Sequence, residues 1–306
     1  ASATNMIQVG LLSVEAWCLL LAPGGAADDR LRLVATTGMI ADMARHIGGE
    51  DVKVQALMGS GVDPHLYRAT QGDIGKLRRA DLIVYNGLFL EGKMGEILER
   101  LGQRQPTLAV GEALDSERLI HPQGHGGHPD PHIWFDVALW RDAGEALADR
   151  LVELDPGHAA DYRARADAYF TELEALHAWV AEQIASIPEK QRVLVTAHDA
   201  FSYFGRAYGI EVVGLQGIST ATEYGLYDVK RVRELVVERG VRAVFVESSV
   251  PRKFIESLQE GLAASGHEVD IGGELFSDAM GEPGTEAGTY MGMVRHNVNT
   301  IVEALR

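Results

Sequence analysis

The sequence feature that most constrains the fold is a long helical pattern from Pro156 to about Ile187. Apolar residues recur there at helical spacing between charged ones, and no glycine interrupts residues 159–187. Asp155 suits the N-cap position, Pro156 suits the first helical position, and Pro188 ends the pattern. At 1.5 Å per residue, such a helix is about 45 Å long. We therefore expect one stiff helix that joins two parts of the molecule.

The rest of the chain alternates short β-branched runs with helical patterns, both before and after this helix. The chain has 306 residues, which is enough for two domains with a core each. Alternation of strands and helices predicts an α/β fold with two lobes, each a parallel sheet flanked by helices. The predicted organisation is a signal-like leader at 1–29, an N-terminal α/β lobe at 30–155, a linking helix at 156–187 and a C-terminal α/β lobe at 188–306.

Two predicted strands of the C-terminal lobe bear on function. Arg192 to Thr196 reads as a strand that ends at Ala197-His198-Asp199. Glu268 to Ile271 reads as a second strand, followed by a long loop from Gly272 to Gly288 because glycine punctuates loops.

The charge balance excludes some partners. The formal net charge is −16, from 44 acidic and 28 basic residues. A nucleic acid or an anionic membrane surface would repel such a protein, whereas a cationic ligand would not. We therefore expect no nucleic-acid partner. We also expect a monomer.

The first residues resemble a secretory signal. Leu11 to Ala22 is apolar and has the length of a signal core rather than of a membrane span. Glu15 interrupts this run and no Lys or Arg precedes Arg30, so a disordered leader is the alternative. Cys18, the only cysteine, follows Trp17, whereas a lipid-anchored cysteine follows a small residue. We expect export to a periplasmic or other extracytoplasmic location, and a mature chain without disulfides.

Four candidate metal ligands follow predicted strands or precede the long helix. They are His65, His132, His198 and Asp278, two from each half of the chain. Ligands of open α/β sheets bind beyond the carboxyl ends of the strands. Neutral imidazoles and a carboxylate suit zinc or manganese. Taken singly, a histidine in a loop is more often a solvated or capping residue than a ligand, and a lone Asp after two glycines is more often a turn or cap residue. Spacing does not show that the four converge.

Six segments carry a resemblance to a known family. They are 37–42 (TGMIAD), 61–67 (GVDPHLY), 81–87 (DLIVYNG), 131–136 (PHIWFD), 196–201 (TAHDAF) and 272–280 (GGELFSDAM). Together they resemble the metal-specific, cluster A-I solute-binding proteins of ABC transporters. The match extends from about Arg32 to the C-terminus. It implies two α/β lobes joined by one long helix, a metal ion between them and delivery of that metal to a membrane permease.

The resemblance also implies roles for single residues. It makes His65, His132, His198 and Asp278 the metal ligands. Manganese-specific members typically carry Glu where this chain has His198, so the resemblance favours Zn²⁺, with Mn²⁺ possible. It places Glu247 near the metal, with a helix-capping role as the alternative. Weaker supporting candidates, which turn chemistry explains equally well, are Asp63, Asn86, Ser219 and Thr220.

A short loop carries three further histidines, His121, His125 and His128. Zinc-specific members of the family often have a longer histidine-rich loop at this place. Capture of zinc for transfer to the main site and simple solvation are both compatible with the pattern.

Three classes of function remain to be weighed. The first is an extracytoplasmic metal-binding protein that is not an enzyme. The second is a zinc hydrolase with Glu247 as general base, but four protein ligands close the coordination that catalysis needs open, and no HExxH motif is present. The third is a surface adhesin with a structural metal. The sequence identifies neither the physiological metal nor the permease.

Overall fold

The computed structural model describes residues 28–306. The apolar run at 11–22 and Cys18, on which the predicted leader depends, lie outside the described residues. The strands are β1 (Leu31–Ala35), β2 (Val52–Ala56), β3 (Leu82–Tyr85), β4 (Thr107–Ala109), β5 (Val193–His198), β6 (Glu211–Gln216), β7 (Ala243–Glu247) and β8 (Asp270–Leu275). The α-helices are α1 (Gly38–Gly48), α2 (Gln71–Arg79), α3 (Gly95–Gly102), α4 (Val137–Leu154), α5 (Ala159–Ala185), α6 (Ser202–Tyr208), α7 (Leu226–Arg239), α8 (Lys253–Ala264) and α9 (Tyr290–Leu305).

All strand pairs are parallel. The first half of the chain forms a four-stranded sheet in the order β2-β1-β3-β4. The second half forms the pairs β5-β6 and β7-β8, and β5 packs beside β7. Helices separate consecutive strands throughout, as the crossover connections of parallel strands require. The predicted α/β fold with parallel sheets flanked by helices and one long helix is confirmed.

The long helix begins slightly later than its sequence pattern predicts. Pro156–His158 forms a 3₁₀ turn, and α5 then runs for 27 residues. The expectation that Asp155 caps this helix is wrong, because its side chain accepts no backbone N–H there. The carboxylate instead accepts the hydroxyl of Tyr162 at 2.6 Å and lies 2.8 Å from His158 Nδ1. Asp155 therefore bonds to a tyrosine side chain one turn into the helix and does not cap the backbone N–H groups of the helix.

The largest apolar core crosses between the two halves of the chain. Leu173 and Leu176 of α5 are fully buried in it, together with Trp140 of α4 and Tyr290 of α9. Two smaller apolar clusters lie within the separate halves. The helix therefore does more than separate two independent cores. Its apolar face contacts α1 and α4 from one half, and α6 and α9 from the other.

Two predicted strand ends need correction. β5 includes His198, which the sequence placed just past the strand. β8 starts at Asp270 and continues through Gly272 and Gly273 to Leu275, where we expected a loop. A Cβ on Gly272 would lie 2.7 Å from Ala304 Cβ, and one on Gly273 would lie 2.5 Å from a Thr300 methyl group. These glycines are strand residues that let α9 pack closely, so they do not mark a loop.

Within residues 28–306, no helix combines the length and the apolar character that crossing a bilayer requires.

Candidate metal centre

The fold brings four candidate ligands from four different segments to one point. His65 lies in the loop after β2, and His132 lies just before α4. His198 is the last residue of β5, and Asp278 lies three residues after β8. All four side chains are buried, with exposed fractions of 2% or less. Among residues 28–306 they form the one group of His, Cys, Asp or Glu side chains spaced to hold a metal ion.

The donor atoms of this group are close together. Asp278 Oδ2 lies 3.2 Å from His65 Nε2 and 3.1 Å from His198 Nε2, and Asp278 Oδ1 lies 3.2 Å from His132 Nε2. The Nε2 atoms of His65 and His132 are 3.3 Å apart. Ligands that surround zinc tetrahedrally at about 2.0–2.1 Å lie about 3.3 Å from one another. The spacing therefore suits a single zinc-sized ion.

Two of the histidines are oriented by carboxylates behind them. His198 Nδ1 lies 2.7 Å from Glu247 Oε1, and the His198 backbone N–H donates to Glu247 Oε2 at 2.7 Å. His132 Nδ1 lies 2.7 Å from Asp130 Oδ1, which also accepts the His132 backbone N–H at 3.0 Å. A carboxylate at Nδ1 keeps a proton there, so in the neutral ring it is the Nε2 lone pair that can bind a metal. Glu247 acts through His198 and makes no helix cap.

Sequence reasoning missed Asp130, although a signal was present. The tripeptide Asp-Pro-His occurs at 63–65 and again at 130–132. In both copies the aspartate accepts the backbone N–H of the histidine two residues later. The copies differ in their second contact, since Asp130 also reaches its histidine ring whereas Asp63 bonds to Thr220. The repeat would have identified Asp130 as a partner of His132.

The metal-free centre has a strongly coupled charge distribution. Burial lowers the pKa of His132, but the Asp278 and Asp130 carboxylates outweigh burial and raise the pKa to about 9. Burial likewise opposes the charge on His198, while Glu247 and Asp278 raise its pKa well above the ordinary value. Burial raises the pKa of Asp278, yet the three histidines bring it well below its usual range. Without a metal, protonated histidines therefore compensate the Asp278 carboxylate, and a metal ion that binds there must displace their protons.

The weaker supporting candidates have distinct contacts. The Thr220 hydroxyl donates to Asp63 at 2.5 Å. Asn86 Nδ2 donates to the carbonyl of Pro131 at 3.0 Å, which holds the segment before His132. The Ser219 hydroxyl accepts a local N–H from Ala221 at 3.2 Å, and its carbonyl accepts one from Thr222 at 3.0 Å, as a turn residue does. Asn86 and the Thr220–Asp63 pair therefore bear on the ligand loops, and Ser219 does not.

The segment before Asp278 is tied to the first half of the chain. Trp134 Nε1 donates to the carbonyl of Ser277 at 3.0 Å. The Trp134 carbonyl in turn accepts the hydroxyl of Tyr290 at 2.6 Å. These buried bonds hold the His132 and Asp278 segments in one arrangement.

The loop histidines make no comparable group. His121 Nε2 lies 3.0 Å from the Ser116 carbonyl, and His128 stacks on Phe89 with ring centroids 4.5 Å apart. His125 and His128 lie edge to face with centroids 6.2 Å apart. The residues around these rings supply no third donor spaced for a metal in the described part of the chain.

Several donor atoms of this centre are buried and unpaired. His198 Nε2 and both carboxylate oxygens of Asp278 have no hydrogen-bond partner within the described residues. Buried polar atoms without partners are rare and costly in proteins. Three nitrogen donors and a carboxylate with these unused lone pairs can coordinate a divalent cation, in a four- or five-coordinate shell. With all four positions filled by protein, the arrangement suits capture of an ion rather than catalysis by it.

The chain belongs to the sequence family described as ZnuA, zinc-uptake complex component A, periplasmic, which matches residues 33–304. The manganese-binding lipoprotein MntA of Bacillus subtilis is 52% identical to it over 283 residues, covering 92% of each chain. The metal ABC transporter substrate-binding lipoprotein SsaB of Streptococcus sanguinis is 30% identical, covering 98% of this chain and 99% of that one.

The zinc-binding protein TroA of Treponema pallidum is 50% identical over 281 residues, covering 92% of this chain and 90% of that one. The solved structure of the periplasmic TroA superposes with a TM-score of 0.88, covering 90% of this chain and 99% of that chain. The family resemblance drawn from the sequence motifs is confirmed, as is the fold. The chain is a metal-binding substrate-binding protein of an ABC transporter and not an enzyme.

Proposed function

We propose that this protein captures one divalent transition-metal ion between its lobes through His65, His132, His198 and Asp278, and hands it to a membrane permease. The observation that carries the proposal is the Asp278 carboxylate, whose buried oxygens face three imidazole nitrogens and receive no hydrogen bond. An ionised carboxylate is tolerated in such a site when a cation is bound between it and neutral imidazoles.

The residues 30–155 and 188–306 are proposed as the two lobes that close on the ion, with 156–187 as their link. We place the protein outside the cytoplasm as a monomer, exported by its N-terminal signal and working with the permease and ATPase of an ABC transporter. The names of the relatives, which include lipoproteins and a periplasmic protein, support this location.

Metal binding is tested by elemental analysis of the purified protein and by calorimetric titration of the metal-free form with Zn²⁺. We expect one ion per chain and a loss of binding when any of the four ligands is replaced by alanine. The control is His267→Ala, because His267 lies outside the centre and contacts the Val241 carbonyl. Replacement of a ligand without any loss of affinity would remove that residue from the site.

Removal of the metal with a chelator separates a transport role from a structural role. A chelator should remove the ion while the protein keeps its folded circular dichroism spectrum, because the core around α5 does not depend on the metal. Unfolding on chelation would instead identify a structural metal, as in an adhesin without cargo.

Zinc is the proposed cargo, and it should bind more tightly than manganese. Three imidazoles suit a borderline-soft ion, and manganese stands lowest in the Irving–Williams order. His198→Glu exchanges a nitrogen donor for an oxygen donor that can bind through both oxygens. It should weaken zinc more than manganese, and a loss common to both metals cancels in their affinity ratio. An unchanged ratio in competition titrations, or equal affinities in the wild type, would refute the assignment of zinc.

A further inference from the structure

The His65 loop and the His132 loop each carry a proposed metal ligand. They differ in how firmly they are attached across the cleft, which is the boundary between the two lobes. The His132 loop is held by buried bonds, since the Tyr203 hydroxyl donates to the Asp130 carbonyl at 2.7 Å and Trp134 donates to Ser277 at 3.0 Å. Water cannot easily replace such bonds, because both partners are shielded from solvent. His132 therefore stays in place relative to the C-terminal lobe.

The His65 loop has one hydrogen bond across the cleft. Thr220 Oγ1 donates to Asp63 Oδ2 at 2.5 Å. Among the hydrogen bonds of the described residues, it is the only one that joins residues 57–69 to residues beyond 188, apart from the contact of His65 with Asp278. Asp63 and Thr220 are both half-buried, so solvent can compete for this bond.

The two partners of this bond are each connected to a metal ligand. Asp63 Oδ1 accepts the backbone N–H of His65 at 2.9 Å. On the other side, Gln216 Nε2 donates to the carbonyl of Thr220 at 2.8 Å, and Gln216 lies opposite His198 in the β5–β6 register. One side-chain bond thus couples the positions of His65 and His198 across the cleft.

We propose that the Thr220–Asp63 hydrogen bond is a latch that holds the His65 loop closed over the bound metal and sets the rate of metal release. The inference rests on the proposed function. Release requires a ligand loop to leave the opposite lobe, and the His65 loop is the one with a single, solvent-accessible bond to break. Thr220 is a positioning residue that acts on the metal through Asp63 and His65.

The test is the rate at which zinc-loaded protein transfers Zn²⁺ to a chromophoric chelator in stopped flow. Thr220→Val keeps the shape of the side chain and removes the donor. Loss of a hydrogen bond to a charged group should speed release about 10-fold. Thr220→Ser restores the hydroxyl and should return the rate to within about twofold of the wild type. The circular dichroism spectrum of the metal-free protein should not change, which separates faster release from a loss of the fold.

The matched control is Thr222→Val, because the Thr222 hydroxyl makes no hydrogen bond in the described residues while its carbonyl accepts from Gln216 at 2.6 Å. It should release zinc at the wild-type rate. A wild-type rate in Thr220→Val, or equal acceleration in Thr220→Val and Thr222→Val, would overturn the latch. A wild type that binds no zinc would overturn the proposed function itself, so the two failures are distinguishable.

Discussion

At the scale of single residues, carboxylates determine how the histidines present their lone pairs. Glu247 and Asp130 each accept from both the ring and the backbone of one histidine. The ring can then neither rotate nor change tautomer without breaking the bond of its Nδ1 to a buried carboxylate, and the backbone N–H holds that carboxylate in place. Glu247 and Asp130 are consequently as much a part of the centre as the atoms that would touch the metal.

Glu247→Gln and Asp130→Asn should each weaken zinc binding by about 10–100-fold, because an amide holds the imidazole less strongly and lowers its basicity. Zinc affinity measured by competition with a chelator checks this. Glu274→Gln is the control, since Glu274 is exposed on β8 and its side chain has no partner in the described residues. Affinities within twofold of the wild type for both variants would show that the carboxylates do not orient the rings.

At the scale of elements, the close contact of β5 and β6 positions His198. A Cβ on Gly214 would lie 2.4 Å from the backbone nitrogen of Asp199 and 2.6 Å from the carbonyl carbon of His198. These are backbone atoms, so the strands would have to separate to accommodate a side chain. Gly214 is required by this contact and not by an unusual backbone conformation.

Gly214→Ala should therefore lower the free energy of unfolding by about 1–3 kcal/mol, as overpacking does, and should weaken zinc binding by displacing His198. Urea unfolding of the metal-free protein and zinc titration measure the two effects. Gly217→Ala is the matched control, because a Cβ at that position meets no atom within 4 Å. Equal unfolding free energies and equal zinc affinities of the two variants would contradict this role of Gly214.

The turn between β3 and α3 is organised by a buried carboxylate. Glu91 accepts the Thr36 hydroxyl at 2.8 Å and the backbone N–H groups of Asn86 and Gly87 at 2.7 and 3.1 Å. Leu88 and the residue after it have φ angles of 54° and 66°, a strained conformation for residues other than glycine. The three bonds to Glu91 hold this turn, which carries Asn86 and through it the segment before His132.

Glu91 also gives stability a pH dependence. Burial raises its pKa above the ordinary 4.5, although the hydrogen bonds from Asn86, Thr36 and Gly87 oppose this. As the pH rises above about 4.5, the unfolded chain loses the proton before the folded chain does. The contribution of Glu91 to the unfolding free energy therefore falls with rising pH, until the folded carboxyl has also ionised.

Glu91→Gln removes this titration and leaves the Gly87 N–H facing an amide NH₂, at a cost of about 1–3 kcal/mol. The stability difference between wild type and variant should be largest below about pH 4.5 and should narrow as the pH rises. Urea unfolding of the metal-free proteins across this range measures it. Glu99→Gln, an exposed carboxyl on α3, is the control and should show no such trend. A stability difference that widens with rising pH would show that burial does not raise the pKa of Glu91.

At the scale of the whole molecule, α5 and the core around it restrict how the lobes can move. The largest apolar cluster includes side chains from both halves of the chain. A wide hinge motion would bend a helix without glycine and expose part of this core to water. Closure and release should therefore use small tilts and loop shifts rather than a swing of one lobe.

Spin labels on cysteines that replace Glu99 and Glu238 test this, because both residues are exposed and lie in opposite halves of the chain. Cys18 is replaced by serine so that only these two positions are labelled. Loading with zinc should change the mean distance by about 1–2 Å, the size of a helix shift. His65→Ala, which lacks one proposed ligand, should show a smaller change at the same zinc concentration. A change many times larger, with a bend in α5, would show that the shared core does not limit the motion.

The sequence by itself determined the order and type of the elements. The helix α4, for example, begins after the N-cap residue Asp136 and ends just before Asp155 and Pro156, because caps and breakers act within a few residues. It also indicated the candidate ligands, since the motifs that resemble the family contain His65, His132, His198 and Asp278.

Only the tertiary structure decided what depends on distant contacts. His65, His132, His198 and Asp278 meet because three loops and the end of β5 converge, and the four donor-atom separations of 3.1–3.3 Å are set by packing. The extent of β8 and the core shared through α5 likewise depend on helices far away in the chain. The Thr220–Asp63 bond spans 157 positions. No local pattern encodes such a pairing, because its energy exists only once both lobes are folded against each other.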